Sequence, residues 1–128
     1  MSIISISGGA QAYSLAAGGR LYRTALNSGL QIVAPLNPSR RRLVFHNPGT
    51  VNCLVGLRFR VALDGDGNPV NVYVTNNFDE TNREGAFLVY ADGGTLTVEG
   101  ECQQQWHAVS FSGFPAEGCP LTIMDSNI

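Results

Sequence analysis

The stretch NCLVGLRFRVALDGDGNPVNVYVT, residues 52–75, decides the fold. From Cys53 the odd positions Val55, Leu57, Phe59 and Val61 are all apolar, while Gly56, Arg58 and Arg60 fall between them. A period of two over this length predicts one long, half-buried β-strand. Beyond it Val70, Val72 and Val74 alternate with Asn71, Tyr73 and Thr75, which predicts a second strand. The intervening DGDGN holds residue types that accept positive φ, so it reads as the tight turn of a hairpin.

Working outward, the same grammar repeats. LQIVA (30–34) stops at Pro35, RLVFHN (42–47) stops at Pro48-Gly49, and TLTVEGE, WHAVSF and PLTIMD follow toward the end. AFLVYA (86–91) lacks polar alternation and reads as a strand buried on both faces. The boundaries are turn chemistry: NPGT, DGDGNP, ADGG and SGFP. No amphipathic helix of ordinary length interrupts the series. Short strands at roughly ten-residue spacing predict an all-β, antiparallel β-sandwich, jelly-roll-like, over residues 29–128. Residues 1–28 hold the pairs Gly8-Gly9 and Gly18-Gly19 and only short apolar patches. They read either as an N-terminal arm, which pairs with a neighbour or with the domain's own edge, or as a first strand of the domain.

Composition bounds the partners. An apolar content of 44% excludes a disordered chain, and 128 residues suffice for one domain with its own core. Only 14% of residues are charged, less than a soluble monomer usually carries, which favours a subunit that covers part of its surface in a homo-oligomer or larger assembly. A net charge of −2 argues against direct nucleic-acid binding, which needs a broad basic face. MSIISISGGA lacks the charged and long apolar regions of a signal peptide, and no apolar run spans a bilayer. A soluble chain made in a cytoplasm, with no membrane partner, is expected. Cys53, Cys102 and Cys119 show neither a disulfide framework nor zinc spacing and read as reduced, with Cys53 in the core.

Catalytic and metal motifs do not emerge. DGDGN fails the calcium-loop pattern, since its sixth position is Pro69 and its twelfth Thr75. His46 and His107 share no ligand spacing and read as solvent-side strand residues. The segment VSFSG lacks the first glycine of a nucleophile elbow. Neither an enzyme nor a cofactor is expected. Trp106 beside Gln103, Gln104 and Gln105 has two readings: a glycan-stacking platform, or the core tryptophan of the sandwich.

Two features suggest contacts with partners. Arg40, Arg41 and Arg42 precede RLVFHN in a chain without lysine. If that strand and the 53–63 strand form a hairpin about NPGTVN, the triplet gathers near Arg58 and Arg60. Such a cluster wants anions, either Asp79 or Glu84 or a carboxylate of another chain. Phe78, alone in the polar loop NNFDETNREG, is either an exposed partner anchor or a lid folded back on the sandwich.

The run PLNPSRRRLVFHNPGT resembles the start of a group of small tailed-bacteriophage virion proteins, with Asn-Pro-x-Arg, an apolar strand and Asn. GAFLVYADGGTLTVEGECQQQWHAVSFSG and the closing LTIMD resemble its remainder: a Gly-Gly-x-Leu strand, a strand ending Ala-Val-Ser, and a terminal strand. The likeness covers residues 31–125 and rests on generic residue types. Residues 64–85 depart from it with a longer acidic loop, and the first 28 residues lie outside it. It implies a β-sandwich on the virion, as a capsid decoration or cement protein on the capsid exterior whose partners are the major capsid protein and itself, or else in a head fibre or tail. A carbohydrate-binding or receptor-binding module of a tail or head fibre is the alternative it leaves open. Under the first reading Arg40, Arg41, Arg42, Arg58, Arg60 and Phe78 are the expected contacts; under the second, Trp106.

Overall fold

The computed structural model describes residues 11–14, 19–74 and 77–127, and all of its regular elements are strands. In chain order they are β1 (Gln11–Ser14), β2 (Gly19–Leu26), β3 (Gln31–Ala34), β4 (Arg42–Asn47), β5 (Cys53–Gly56) and β6 (Phe59–Leu63). β7 (Pro69–Tyr73), β8 (Ala86–Val89), β9 (Gly94–Val98), β10 (Trp106–Ser110) and β11 (Cys119–Ser126) complete the set. One sheet has the order β1-β2-β11-β4-β9, the second β3-β10-β5-β8, and β6 and β7 form a separate ribbon. All pairings are antiparallel.

Leaving out β1 and the ribbon, each successive strand from β2 to β11 crosses to the other sheet, except β5 and β8, which pair as neighbours within the second. That alternation is the jelly roll, two interleaved Greek keys closed on one core. The strands expected from the alternation pattern are all present. The exception is the long strand from Cys53, which breaks at Leu57-Arg58. β5 is buried along its whole length in the second sheet, whereas β6 leaves the sandwich as the ribbon. Residues 19–26, read as arm or first strand, are a strand deep in the first sheet. β2 pairs with β11 along eight residue pairs, and Leu26 is fully buried.

The hairpin expected between β4 and β5 does not form, because the two strands lie in opposite sheets. The five-residue connection between them is an arch held by Asn47. The Asn47 amide donates to the carbonyls of Val51 (2.9 Å) and Val89 (3.1 Å), and its oxygen accepts from Gly49 N (2.9 Å). Its main-chain carbonyl accepts from Gly93 N at 2.8 Å, so a single buried asparagine joins the β4–β5 arch to the β8–β9 turn. The expected DGDGN turn is present in the ribbon: Asp64 accepts from Asp66 N and Asn68 N (both 2.9 Å), and Gly67 takes a φ of 81°.

Between the sheets lie Leu43, Phe45, Val55, Trp106, Ala108, Leu121 and Ile123 with Cys53, Cys102 and Cys119. All three cysteines are unpaired and buried, and burial pushes the Cys53 thiol up to about 12. β8 is an edge strand rather than a doubly buried one, with Phe87 exposed on it. Leu54 and Val109 point out of the other face of the second sheet, where Phe78 covers them.

Candidate functional site

The expected arginine cluster does not form as a surface patch. Arg40 is 1% exposed and is directed inward by the turn before it. Asn37 accepts from Ser39 N at 3.1 Å through its side chain and from Arg40 N at 3.2 Å through its carbonyl. That asparagine turn sends the next side chain into the protein, which is the physical content of Asn-Pro-x-Arg. Inside, Arg40 Nε donates to Cys102 O (2.6 Å), and Nη2 donates to Pro35 O and Gln104 O (both 2.9 Å). Cys102 Sγ donates back to Arg40 O at 3.3 Å. Arg40 Nη1 lies 3.7 Å from Asp125 Oδ2, too long for a hydrogen bond but close enough for an ion pair. Burial lowers the Arg40 pKa, and the Asp125 carboxylate opposes that shift.

Other arginines converge on the same connection, the β9–β10 turn over residues 99–105. Arg42 meets Glu99 at 3.4 Å and Arg60 meets Glu101 at 2.8 Å, both pairs well exposed. Gln104 Oε1 accepts from Val61 N at 3.0 Å, which ties the root of the β6–β7 ribbon to this turn. Gln103 O accepts from Asn37 N at 2.8 Å. The carboxylates that meet Arg40, Arg42 and Arg60 are therefore Asp125, Glu99 and Glu101. Asp79 is spent on its own turn, accepting from Thr81 N and Asn82 N (2.8 and 2.7 Å), bonds that hold its carboxyl below its ordinary value. Asp125 also holds Arg20 at 3.3 Å. Of the expected partner contacts, Arg41 stands on the surface, with its main-chain N–H on Ser126 O. Arg58 is half-buried at the ribbon's root.

Phe78 is 1% exposed and folded back on the outer face of the second sheet, so of its two readings the lid holds. A Cβ on Gly56 would stand 3.2 Å from the Phe78 ring and 2.9 Å from Gly85 O, so only glycine on β5 leaves room for the lid. Glu80 fastens the loop to Ser112 (Oγ 2.9 Å, N 3.2 Å), and Arg83 lies over the Phe111 ring at 4.6 Å.

Trp106 is 2% exposed, its ring against Phe45 and Phe87 and its Nε1 donating to Glu101 O at 3.0 Å. That is the core position, not a stacking platform open to a sugar. The two histidines lie in opposite sheets, His46 on β4 and His107 on β10. His107 is buried rather than solvent-facing, and its Nδ1 meets no hydrogen-bond partner among the described residues. Burial first, and the Arg58 charge second, hold its pKa below the ordinary value of 6.5. The neutral form is favoured in the fold, so the unfolded chain takes up the proton at a higher pH than the native one. Stability from this group is complete above about pH 6.5 and drains as pH falls toward the lower, folded-state value. Urea midpoints measured between pH 8 and pH 5 should fall more steeply on the acid side for the parent than for His107→Gln. Among the described residues no three His, Cys, Asp or Glu side chains cluster as metal ligands, and none forms a membrane-crossing helix.

What sequence reasoning missed is a surface feature. The β6–β7 ribbon carries Leu63 (71% exposed), Val72 and Tyr73 (59% exposed) in the open. The registers Arg60↔Val72 and Ala62↔Val70 put the valines on one side of the ribbon and Tyr73, opposite Phe59, on the other. The alternation was legible, but it signalled two faces without telling that Val70, Val72 and Tyr73 stay exposed while Phe59 turns to His107. A second feature is a groove of about 540 Å³ where the sandwich opens between β8 and β9, with Trp106 at its floor. No family model, curated protein or solved structure matches this chain.

Proposed function

We propose that the chain is a structural protein of a bacteriophage particle, a decoration or cement subunit that oligomerises and binds the major capsid protein of the shell. The observation that carries this reading is the uncovered apolar ribbon. An isolated two-stranded hairpin is marginal in water, and a monomer gains nothing by extending Leu63, Val70, Val72 and Tyr73 into solvent. A subunit whose ribbon is covered by neighbours gains an interface. Low charge density and a jelly-roll body fit the same reading, as does the likeness of NPSRRRLVFHNPGT to the virion proteins.

The triplet's share in this function narrows. Arg40 serves the fold, and Arg42 and Arg60 fasten the β9–β10 turn; exposed pairs of that kind contribute little stability. Arg41 and the ribbon are left as the contact surface. Weak contacts suffice on a lattice, because each subunit is held at several points at once.

Shells of the parent particle that lack this protein test the proposal. The purified chain should cosediment with them and raise the temperature at which they open. Val72→Asp, at an exposed site, should keep the parent's unfolding midpoint and lose shell binding at least tenfold. A folded parent chain that does not bind such shells overturns the reading.

A further inference from the structure

His107 sits on the outer face of the second sheet. Its register partner on β5 is Gly56, which lies beneath the Phe78 ring on that face, and its partner on β3 is Ile32. Ile32 is largely exposed, yet the imidazole beside it is buried. The ring laid against it is Phe59 of the ribbon, with centroids 6.3 Å apart and planes at 67°. Phe59 belongs to neither sheet of the sandwich. Among the described residues the ribbon shares no ladder with the body. It is fastened through Gln104 Oε1 on Val61 N (3.0 Å) and through the exposed pair of Arg60 with Glu101 (2.8 Å). A cover held in this way opens before the sheets do.

We propose that the ribbon is a strap released by acid: when His107 takes up a proton, β6 and β7 lift from the second sheet while the sandwich stays folded. An imidazolium donates from both ring nitrogens. His107 Nδ1 has no hydrogen-bond partner where it lies, so its proton would be buried unmatched. Phe59, Gly56 and Ile32 offer no side-chain acceptor, and Arg58 at the ribbon's root adds a like charge.

The other neighbouring elements supply no counter-charge. β3 and β8 hold no ionisable side chain, and Cys53 of β5 points into the core. In the lid loop Asp79 is bound to its own turn, Glu80 to Ser112, and Arg83 lies over Phe111, while Glu84 stands exposed. On the ribbon Arg60 is turned to Glu101, and Tyr73 packs on Phe59 with centroids 5.7 Å apart. β3 and β5 flank His107 as hydrogen-bonded strands, so lifting Phe59 admits water with the least disruption.

Burial first, then Arg58, hold the closed-state pKa below 6.5, and a hydrated imidazole returns toward that value. The closed form is therefore fully favoured above about pH 6.5 and gives way as pH falls through the lower, closed-state value. The switch belongs to the isolated chain and needs no shell. Its effect on shell binding rests on the reading above: a chain that binds no shell leaves the switch intact, and a strap that never lifts leaves shell binding intact.

Nuclear magnetic resonance of the labelled full-length chain between pH 8 and pH 4.5 tests it. The His107 ring and the ribbon signals of Phe59, Val61 and Tyr73 should titrate with one midpoint. Over that range the protection of the Val61 amide should fall at least tenfold relative to the amides of β11. In His107→Gln and His107→Leu, whichever folds, the ribbon should not respond. Gln104→Ala, which removes the acceptor of Val61 N and leaves His107 in place, should raise the His107 midpoint toward 6.5. Ribbon signals that respond equally without His107 overturn the proposal, as does a His107 midpoint unmoved by Gln104→Ala. So does a His107 that stays neutral until β11 loses protection as well.

Discussion

Replacing Arg40 by methionine should lower the stability of the protein by about 3–5 kcal/mol, the cost of removing one partner from a buried charged network. The side chain is 1% exposed, and four groups depend on it: the carbonyls of Pro35, Cys102 and Gln104, and Asp125. Methionine fills the volume and satisfies none of them. Arg40→Lys should recover only part of the loss, since one ammonium cannot copy the guanidinium's flat fork. Arg41→Ala should stay within about 0.5 kcal/mol of the parent, as exposed substitutions do. Urea unfolding of the three variants reads this directly. Equal losses at positions 40 and 41 would show that Arg40 is not the buried clamp.

Phe78→Ala should cost about 3–5 kcal/mol, the range for truncating a buried phenylalanine. Its ring covers Leu54 and Val109, and the loop has few other fastenings: Glu80 on Ser112 and Arg83 over Phe111. The variant should therefore open locally as well as lose global stability, with faster hydrogen exchange over residues 77–85 than in Phe78→Leu. Gly56→Ala should reproduce the local opening from beneath, because its methyl group meets the same ring. A Phe78→Ala protein with parent stability and parent exchange would mean that the lid does not sit on the sheet.

Strands were legible because side-chain alternation and turn residues are local signals. β4, β9, β10 and β11 fall where RLVFHN, TLTVEGE, WHAVSF and PLTIMD put them. Pairing is not local. The five residues between β4 and β5 serve a hairpin or an arch equally well in sequence, and the choice rests on Asn47, whose partners Val51 and Val89 are remote from one another. The break at Leu57-Arg58 was hidden for a similar reason. Alternation continues unbroken past the end of β5, where β6 leaves the sheet, so a strand pattern alone does not register the change of neighbours.

The arginines illustrate the same limit. RRR reads as a charged patch, yet one turn built by Asn37 sends Arg40 inside while Arg41 and Arg42 stay outside. Expecting the arginines to need carboxylates was sound. The carboxylates came from Glu99, Glu101 and Asp125, more than fifty residues beyond the triplet, where only the closed jelly roll brings them. The motif residues that carry the family likeness, Arg40, Asn47 and the Ala108-Val109-Ser110 run, are all buried. They mark the fold more strongly than any binding face.

The central claim is that this sandwich is a repeating part of a phage shell. Quantitative mass spectrometry of purified particles tests it most directly, by comparing the copy number of this chain with that of the major capsid protein. The account predicts a fixed stoichiometric ratio to the shell, retained in heads separated from tails. Absence from the particle, or a few copies that leave with the tails, would contradict it.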